Sequence, residues 1–506
     1  MTKITRKMEN KEDRGYKKVP VHEEGVVEAS YASERDSVYV TTTIPGPTSR
    51  NFLYIAASAA NIASFVCGTA FGWTSPEIPK LNNLTTTPLA EVLSPSQEGW
   101  VGSFLPLAAA IGPIGGGIMA DMIGRKKSLL VATLPFILAF LLNIMASTVF
   151  YFYVSRFLCG LGVGMIFTVL PMYIGEISDD EVRGSLGSFM QLFIVIGLLF
   201  SYGLGPYLPI KTFNIILLFP PVIFIVIFLL FIPDSPYYLI QSDNSETALE
   251  ALIKLRGGNK SLAQKELEVI KLQVEEDLKS KGSFTGTFKT IFSSKPLKMA
   301  LFLALALVSW QQLSGINVVL FYSQNIFTDA GVSIPPEICT IIIGIVQVLA
   351  SGATPLLVEK WGKRFLLMFS GIGMFISQGV LTYFFYLKDN QHKDVSNIGW
   401  VPILSLVVFI ITYCLGFGPL PWAVMGELFP GNVKSVASTA TASFCWILGF
   451  LLTNYFGAVA EVIGKSGSFG FFTICCLLSA IFTFKFLPET AGKSLNEIQA
   501  LLAGKK

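Results

Sequence analysis

Charge is scarce in this chain: Asp, Glu, Lys and Arg make up 14% of its 506 residues while 52% are hydrophobic, against roughly 25% charged in soluble domains. That composition excludes an ordinary soluble globular protein. Histidine occurs only as His22 and His392, both outside the long apolar runs, so neither a metal cluster nor a nucleophile–His pair can be assembled and catalysis has no support. Six of the seven cysteines (Cys67, Cys159, Cys414, Cys445, Cys475, Cys476) fall inside apolar runs and Cys339 begins one, which leaves no pair for a disulfide and reads as packing. Neither "GKS", at 464–466 or 492–494, has the glycine that a phosphate loop needs five residues earlier, so an ATP-driven pump is disfavoured. No metal, cofactor or nucleic-acid partner is expected.

What the chain has in abundance is apolar sequence. Runs long enough to cross a bilayer, ~20 residues each, cover about 52–73, 99–120, 128–147, 150–172, 186–207, 213–232, 299–322, 338–358, 365–386, 400–425, 436–460 and 468–487. Twelve spans make this an all-α membrane protein, with membrane lipid as an expected partner. Residues 1–51 are polar, carry no signal peptide, and read as an unstructured cytosolic tail. Lys and Arg collect in the loops that are cytosolic if the N-terminus is inside: Arg125, Lys126, Lys127, Arg183, Lys360, Lys363, Arg364 and Lys434, plus ten between 233 and 298. Both ends are therefore expected in the cytosol, with the plasma membrane as the default location. The sequon at Asn83 falls in the first outside loop and suits glycosylation, whereas "NKS" at Asn259 falls inside.

The chain also repeats itself. "GRKK" at 124–127 is answered by "GKR" at 362–364, "GEISDDEVRG" at 175–184 by "GELFPGNVKS" at 426–435, and "PDSPYYL" at 233–239 by "PETAGKSL" at 488–495. Three pairs in one order map six spans onto six, giving bundles at 52–232 and 299–487 joined by a linker at 233–298, with a tail at 488–506. Two parallel repeats with a site at the midplane between them form a transporter architecture. In the linker, "DNSE" at 243–246 and "SLAQ" at 261–264 resemble capping boxes, and Leu267, Ile270, Val274 and Leu278 recur at helical spacing, which predicts short amphipathic helices.

Some polar residues sit where lipid would penalise them. "SWQQLSGINVVLFYSQN" at 309–325 places Gln311, Gln312, Ser314, Asn317, Gln324 and Asn325 in an apolar context, where each unpaired amide costs a few kcal/mol, roughly. Gln311, Ser314 and Asn317 share one helical arc; Gln312 lies off it, so either that face is wide or Gly315 bends the helix. Amides offer donors and acceptors together, as a hydroxyl-rich neutral ligand requires. Gln191 and Gln347 add two more, and "GFGPLPW" at 416–422 breaks the tenth span at Gly418, Pro419 and Pro421, a hinge with freed carbonyls. Trp422 and Trp446 supply flat apolar faces. Together these read as a sugar site.

"GxxxDxxGRKK" (117–127), "PMYIGE" (171–176), "PDSPYYL", "QQLSGIN" (311–317), "GPLPW" and "PETAGKSL" occur in the order of the sugar porter branch of the major facilitator superfamily, which the chain resembles over about 52–498. "TSPEIPKL" (74–81) and "GIVQV" (344–348) look most like insect facilitative trehalose and hexose carriers. The resemblance implies the major facilitator fold, alternating access, and sugar contacts from Gln191, Gln311, Gln312, Asn317 and Trp422. It also implies a cytosolic charge lock of Asp121, Arg125, Glu176 and Arg183 in the first half and Glu359, Arg364, Glu427 and Glu489 in the second, paired while the carrier faces outward and separated as it turns inward. The chain departs from the pattern where Cys445 replaces an Asn, Cys414 a Glu, Gln347 an Asn, Asp234 a Glu and Tyr237 an Arg, which puts the substrate's identity and the first-half lock in doubt.

A proton symporter needs a titratable group in its pathway, and no Asp, Glu or His lies mid-membrane, including in "FVCGTAFGW" (65–73). This favours a uniporter for a neutral sugar, trehalose or a hexose such as glucose. The alternatives are a proton-coupled sugar symporter and a non-transporting sensor, the latter disfavoured by the short stretch after "PETAGKSL". Arg156, near the outer end of the fourth span, is either a functional intramembrane charge or a side chain that snorkels to the interface.

Overall fold

The computed structural model describes residues 49–179, 181–280, 284–490 and 495–503. Eleven helical segments there are long and apolar enough to cross a membrane: Asn51–Leu81, Pro95–Ile123, Arg125–Ile144, Val149–Ile177, Arg183–Tyr207, Ile210–Phe231, Lys295–Phe321, Pro336–Val358, Lys363–Asn390, Ser396–Leu428 and Val436–Phe486. The last has 51 residues, ~77 Å if straight, more than twice a ~30 Å hydrocarbon core. It turns at Gly464 (φ 75°, ψ 166°), so it supplies the eleventh and twelfth spans. The expected twelve-helix fold is thus present.

The sides of the molecule invert the soluble pattern. Ile118, Phe219, Leu230, Phe231 and Leu349 are exposed while Asn61, Thr69, Asn143 and Asn214 are buried, as a chain solvated by hydrocarbon requires. The inner polar groups pair with each other or with helix carbonyls: Trp73 Nε1 donates to Asn214 Oδ1 at 3.1 Å, and Asn143 Nδ2 donates to the same oxygen at 2.9 Å. The protein is therefore a multi-pass membrane protein. Within the first half the first span packs along the fifth and the fourth along the second and third; in the second half the ninth and tenth pack together and the ninth along the final helical segment. The halves meet along two seams, the second span against the eleventh and the fifth against the eighth.

One end of the molecule, here the near end, carries the start of the first span, the linker and residues 487–503; the other is the far end. The linker forms helices Pro236–Gln241, Ser245–Leu255, Lys260–Ser280 and Phe284–Ser293. Leu239, Ala248, Leu252, Leu267, Ile270 and Val274 make a small core of their own, while the side chain of Leu278 lies outside the described residues. Their starts differ from expectation. Asp243 takes a left-handed φ of 60° to close the preceding turn, so the second helix begins at Ser245 without a side-chain cap. The third is capped by Asn259, whose Oδ1 accepts from Leu262 N at 3.1 Å, rather than by Ser261. Arg256, 1% exposed, grips Glu266 at 2.5 Å and donates to the Ile177 carbonyl at 3.0 Å, which fixes the linker to the end of the fourth span. Leu495–Leu502, read from sequence as tail, is a helix that buries Ile498 and Leu502 and caps the tenth span through Gln499 Nε2 to Leu428 O at 2.6 Å.

Candidate functional site

The seventh span is interrupted where its polar residues begin. Its helix runs Lys295–Leu313, breaks at Gly315 in the left-handed region (φ 80°), and resumes as Ile316–Phe321. Only glycine fits there: besides the φ, a Cβ would stand 2.6 Å from Phe472 Cδ2. The Ser314 carbonyl at the break accepts from Gln378 Nε2 of the ninth span at 2.6 Å. The bend, not a wide face, brings Gln311, Gln312 and Asn317 to one place.

The tenth span breaks opposite. Its first helix ends at Leu415 and its second begins at Leu420, with Pro419 as N-cap and Pro421 in the first turn. Gln311 Nε2 donates to the Phe417 and Gly418 carbonyls at 2.7 and 2.8 Å, while Ser370 Oγ accepts from Phe417 N at 3.1 Å and Thr354 Oγ1 donates to Cys414 O at 3.0 Å. Side chains from three spans thus satisfy the opened backbone. Cys414 lies behind this break and is not among the residues that line the cavity.

Between the halves lies a cavity walled by residues of both. Gln191, Gln311, Gln312, Asn317, Gln347, Trp422 and Trp446 all line it, drawn from the fifth, seventh, eighth, tenth and eleventh spans, beside Phe71, Phe167 and Cys445. Gln312 is held by a chain: its Oε1 accepts from Asn317 Nδ2 at 2.7 Å and its Nε2 donates to Cys445 Sγ at 3.1 Å. Gln347 Oε1 and Trp446 Nε1 are buried in this wall without a partner, although their residues are only 2% and 6% exposed. Trp446 stacks on Phe71 (centroids 5.9 Å, interplanar 26°). The lining has acceptors, donors and apolar rings but no Asp, Glu, His, Lys or Arg, a combination suited to a neutral hydrogen-bonding ligand.

The rest of the polar stretch goes elsewhere. Ser314 turns back on the Gln311 carbonyl at 2.7 Å, and Asn325 Nδ2 donates across the halves to Glu98 Oε1 at 3.0 Å. Ser103 Oγ to Asn454 Oδ1 (2.9 Å), Tyr202 OH to Leu320 O (2.6 Å) and Gln324 N to Ser75 Oγ (3.2 Å) are further ties between halves toward the far end. Sequence reading missed Glu98, Ser103 and Asn454: Glu98 and Ser103 share the second span and Asn454 sits in the final helical segment, and nothing in either stretch announces a partner in the other half. Arg156 does not snorkel. It is 1% exposed, donates to Ala70 O at 2.6 Å and Val101 O at 3.2 Å, and lies over Trp73 and Phe321.

At the near end the expected charged residues divide by half. Arg125 pairs with Glu176 at 2.8 Å, and Glu176 also accepts from Ser235 Oγ. In the second half Lys363, rather than Arg364, pairs with Glu427; the Arg364 guanidinium turns to the Phe484 carbonyl, because its position on the helix points it away from the tenth span. Asp121 is exposed at the end of the second span, Arg183 opens the fifth, and the side chain of Glu359 lies outside the described residues.

Asp234 and Glu489 do matching work on the two halves. Asp234 Oδ1 accepts from Lys126 N at 3.0 Å and Glu489 from Lys363 N and Arg364 N at 3.2 and 3.1 Å, so each acid caps a helix that starts after a positive-φ glycine, Gly124 or Gly362. The shorter Asp therefore keeps the contact, and Tyr237 instead donates to Gln273 at 3.0 Å. Burial pushes the Asp234 carboxyl above its ordinary range, opposed by the Lys126 and Ser235 N–H groups. The folded state then holds that proton more tightly than the unfolded chain, so stability falls as pH rises from ~3.9 through the raised value. Asp234→Asn is expected to flatten this part of the profile of melting temperature against pH in detergent; an unchanged slope would contradict the assignment.

Asn83 is exposed at the far end, its Oδ1 bonded to Thr85 N at 3.0 Å and Thr85 Oγ1 at 2.7 Å. All seven cysteines are free and buried.

Comparison with known proteins gives concordant results. Residues 60–502 match the family model described as "Sugar (and other) transporter". The facilitated trehalose transporter Tret1 of Polypedilum vanderplanki is 35% identical over 503 residues, 98% of this chain and 96% of that protein. Its namesake in Culex quinquefasciatus is 35% identical over 89% of this chain and 86% of its own length, whereas this chain spans about half (51%) of the Drosophila willistoni relative. Among solved structures, the xylose transporter XylE of E. coli in an inward open conformation superposes with a TM-score of 0.72 at 24% identity, covering 89% of this chain and 99% of that one.

Proposed function

Because the chain belongs to the sugar (and other) transporter family, we propose that it carries a neutral sugar, trehalose or a hexose, by facilitated diffusion. The observation that supports this most is the cavity between the halves, whose walls are amides and aromatic rings without a charged side chain. In this reading Gln191, Gln312, Asn317 and Gln347 bond the hydroxyls, and Trp422 and Trp446 cover the C–H faces. Trehalose is the preferred first substrate on the strength of the insect relatives' names.

The near end is the cytosolic side, as the distribution of Lys and Arg supports, and the plasma membrane is the default location for such a carrier. Asn83 is then an extracellular glycosylation site. The ties at the far end close the cavity on that side, and opening it there requires Glu98–Asn325 and Ser103–Asn454 to part, whereas Arg125–Glu176 and Lys363–Glu427 each lie within one half and so do not join the halves at the near end. Near-end pairs such as Arg125–Glu176 belong to a lock that changes partners during the turn, with Gly315, Gly418, Pro419 and Pro421 as hinges. Saturable uptake of labelled trehalose by cells displaying the protein tests the reading.

Proton coupling is the second reading, and one side chain favours it. The first span extends beyond its apolar run to Leu81 and thereby buries Glu77 (0% exposed), with Oε2 unpartnered and Oε1 2.7 Å from Lys80 Nζ. Lys80 also donates to the Gly205 and Leu208 carbonyls, which makes the pair a fixed clamp on the turn between the fifth and sixth spans. Uniport therefore stands first. Glu77→Gln is expected to leave uptake insensitive to a proton uncoupler, as in the unmodified chain; uncoupler-sensitive uptake that becomes insensitive in the variant would install the symporter.

A further inference from the structure

A second cavity lies at the far end and is lined by different residues from the central one. The two are neighbours along the chain: Phe321, ending one helix, lines the central cavity and Tyr322, at the junction that follows, lines the outer. The cross-half bond from Asn325 to Glu98 is part of the outer cavity's own wall, and Ser103 bonds Asn454 across the halves as well.

The outer cavity joins two kinds of surface. Tyr322, Phe456 and Phe469 form an aromatic wall, with Phe456 stacked on Tyr322 (6.1 Å, 26°) and edge-on to Phe469 (6.2 Å, 70°). Glu98, Asp329 and Glu461 supply carboxylates, and the cation there, Lys465, is engaged by Asp329 at 2.8 Å. Carboxylates accept strong, charge-assisted bonds from neighbouring hydroxyls, while rings cover the apolar face of a pyranose. We propose that this cavity is a second, outer binding position for the same neutral sugar on its way to the central site, an inference that rests on the function proposed above. An occupant that donates to Glu98 and accepts from Asn325 replaces the bond that joins the halves. Sugar arriving from outside would thus help to open the way to the central cavity.

Cysteine protection tests this. Ala460 lines the outer cavity and every native cysteine is buried, so Ala460→Cys gives one target for a membrane-impermeant methanethiosulfonate added to cells. Trehalose and glucose are each tested as protectants, in chains with Gln312 intact and with Gln312→Ala. At a concentration of about twice the outer-site Kd, the transported sugar is expected to slow labelling about threefold in both. Protection that vanishes with Gln312→Ala, no protection by either sugar across their solubility range, or a cysteine that the reagent cannot reach would each overturn the outer site. Gly457→Cys, at a lining position where an added Cβ meets nothing within 4 Å, replaces Ala460→Cys should the latter fail to reach the surface. Absence of trehalose and glucose uptake in the unmodified chain would instead strike the transport reading, independently of the labelling result.

Discussion

Gln311→Leu is expected to lower the maximal rate of sugar uptake roughly tenfold or more at equal surface amount, the equivalent of at least ~1.4 kcal/mol. The reason is structural as much as chemical. Both amide protons of Gln311 are taken by the Phe417 and Gly418 carbonyls at the tenth-span break, and a buried carbonyl left unpaired costs about 1–3 kcal/mol. The break would then settle into another geometry, and the hinge with it. Gln312→Leu is expected to act differently. Its donor goes to a thiol, a weak acceptor, and its oxygen to Asn317, so its loss disturbs the backbone little and falls on affinity. A rise in KM with a largely kept maximal rate for Gln312→Leu, beside the opposite pattern for Gln311→Leu, is the result to look for in uptake kinetics. Equal effects of both variants on both parameters would show that Gln311 is not the tie between the two broken helices.

Gly315→Val is expected to remove most folded protein. A side chain at φ 80° carries a left-handed penalty of about 1–2 kcal/mol, and the Cβ placed 2.6 Å from Phe472 Cδ2 adds an overpacking cost of about 1–3 kcal/mol. Gly315→Ala should show a smaller loss in surface amount and in the melting temperature of detergent-purified protein. Combining Gly315→Ala with Phe472→Leu should recover only the steric share, leaving the φ penalty. Full recovery in the double variant would mean that the backbone at 315 is under no constraint of its own, and no loss in any of the three would contradict the break.

The spans were legible because the requirement to pair every backbone group in lipid leaves helices as the solution for an apolar run. Their ends were less so. The first span continues through "TSPEIPKL" because Lys80 ties that segment to the Gly205 and Leu208 carbonyls, partners over a hundred residues away that no local pattern announces. The eight charged residues of the lock could be assigned to one end by position, yet which base meets which acid depends on helix rotation, and Lys363 rather than Arg364 reaches Glu427.

The seven amides and tryptophans of the central cavity were legible because polarity inside lipid demands a reason, and the structure brings them into one wall. The same argument overreached for Ser314 and Asn325. It placed them by helical spacing and allowed for a bend only at Gly315, whereas the break there and the turn after Phe321 send those side chains to a backbone carbonyl and to Glu98. Cys445 illustrates the reverse. Read as the loss of a hydrogen-bonding group, it instead meets Gln312 at 3.1 Å and faces Gln311 Oε1 at 3.8 Å, so the thiol takes part in ordering both amides.

Uptake of radiolabelled trehalose and glucose into cells displaying the protein, with and without a proton uncoupler and beside Gln312→Ala, tests the central claim most directly. Facilitated diffusion through the amide-lined cavity requires saturable entry of one of these sugars, unchanged by the uncoupler and weakened by the variant. Entry that collapses with the proton gradient, or that Gln312→Ala leaves intact, would contradict it.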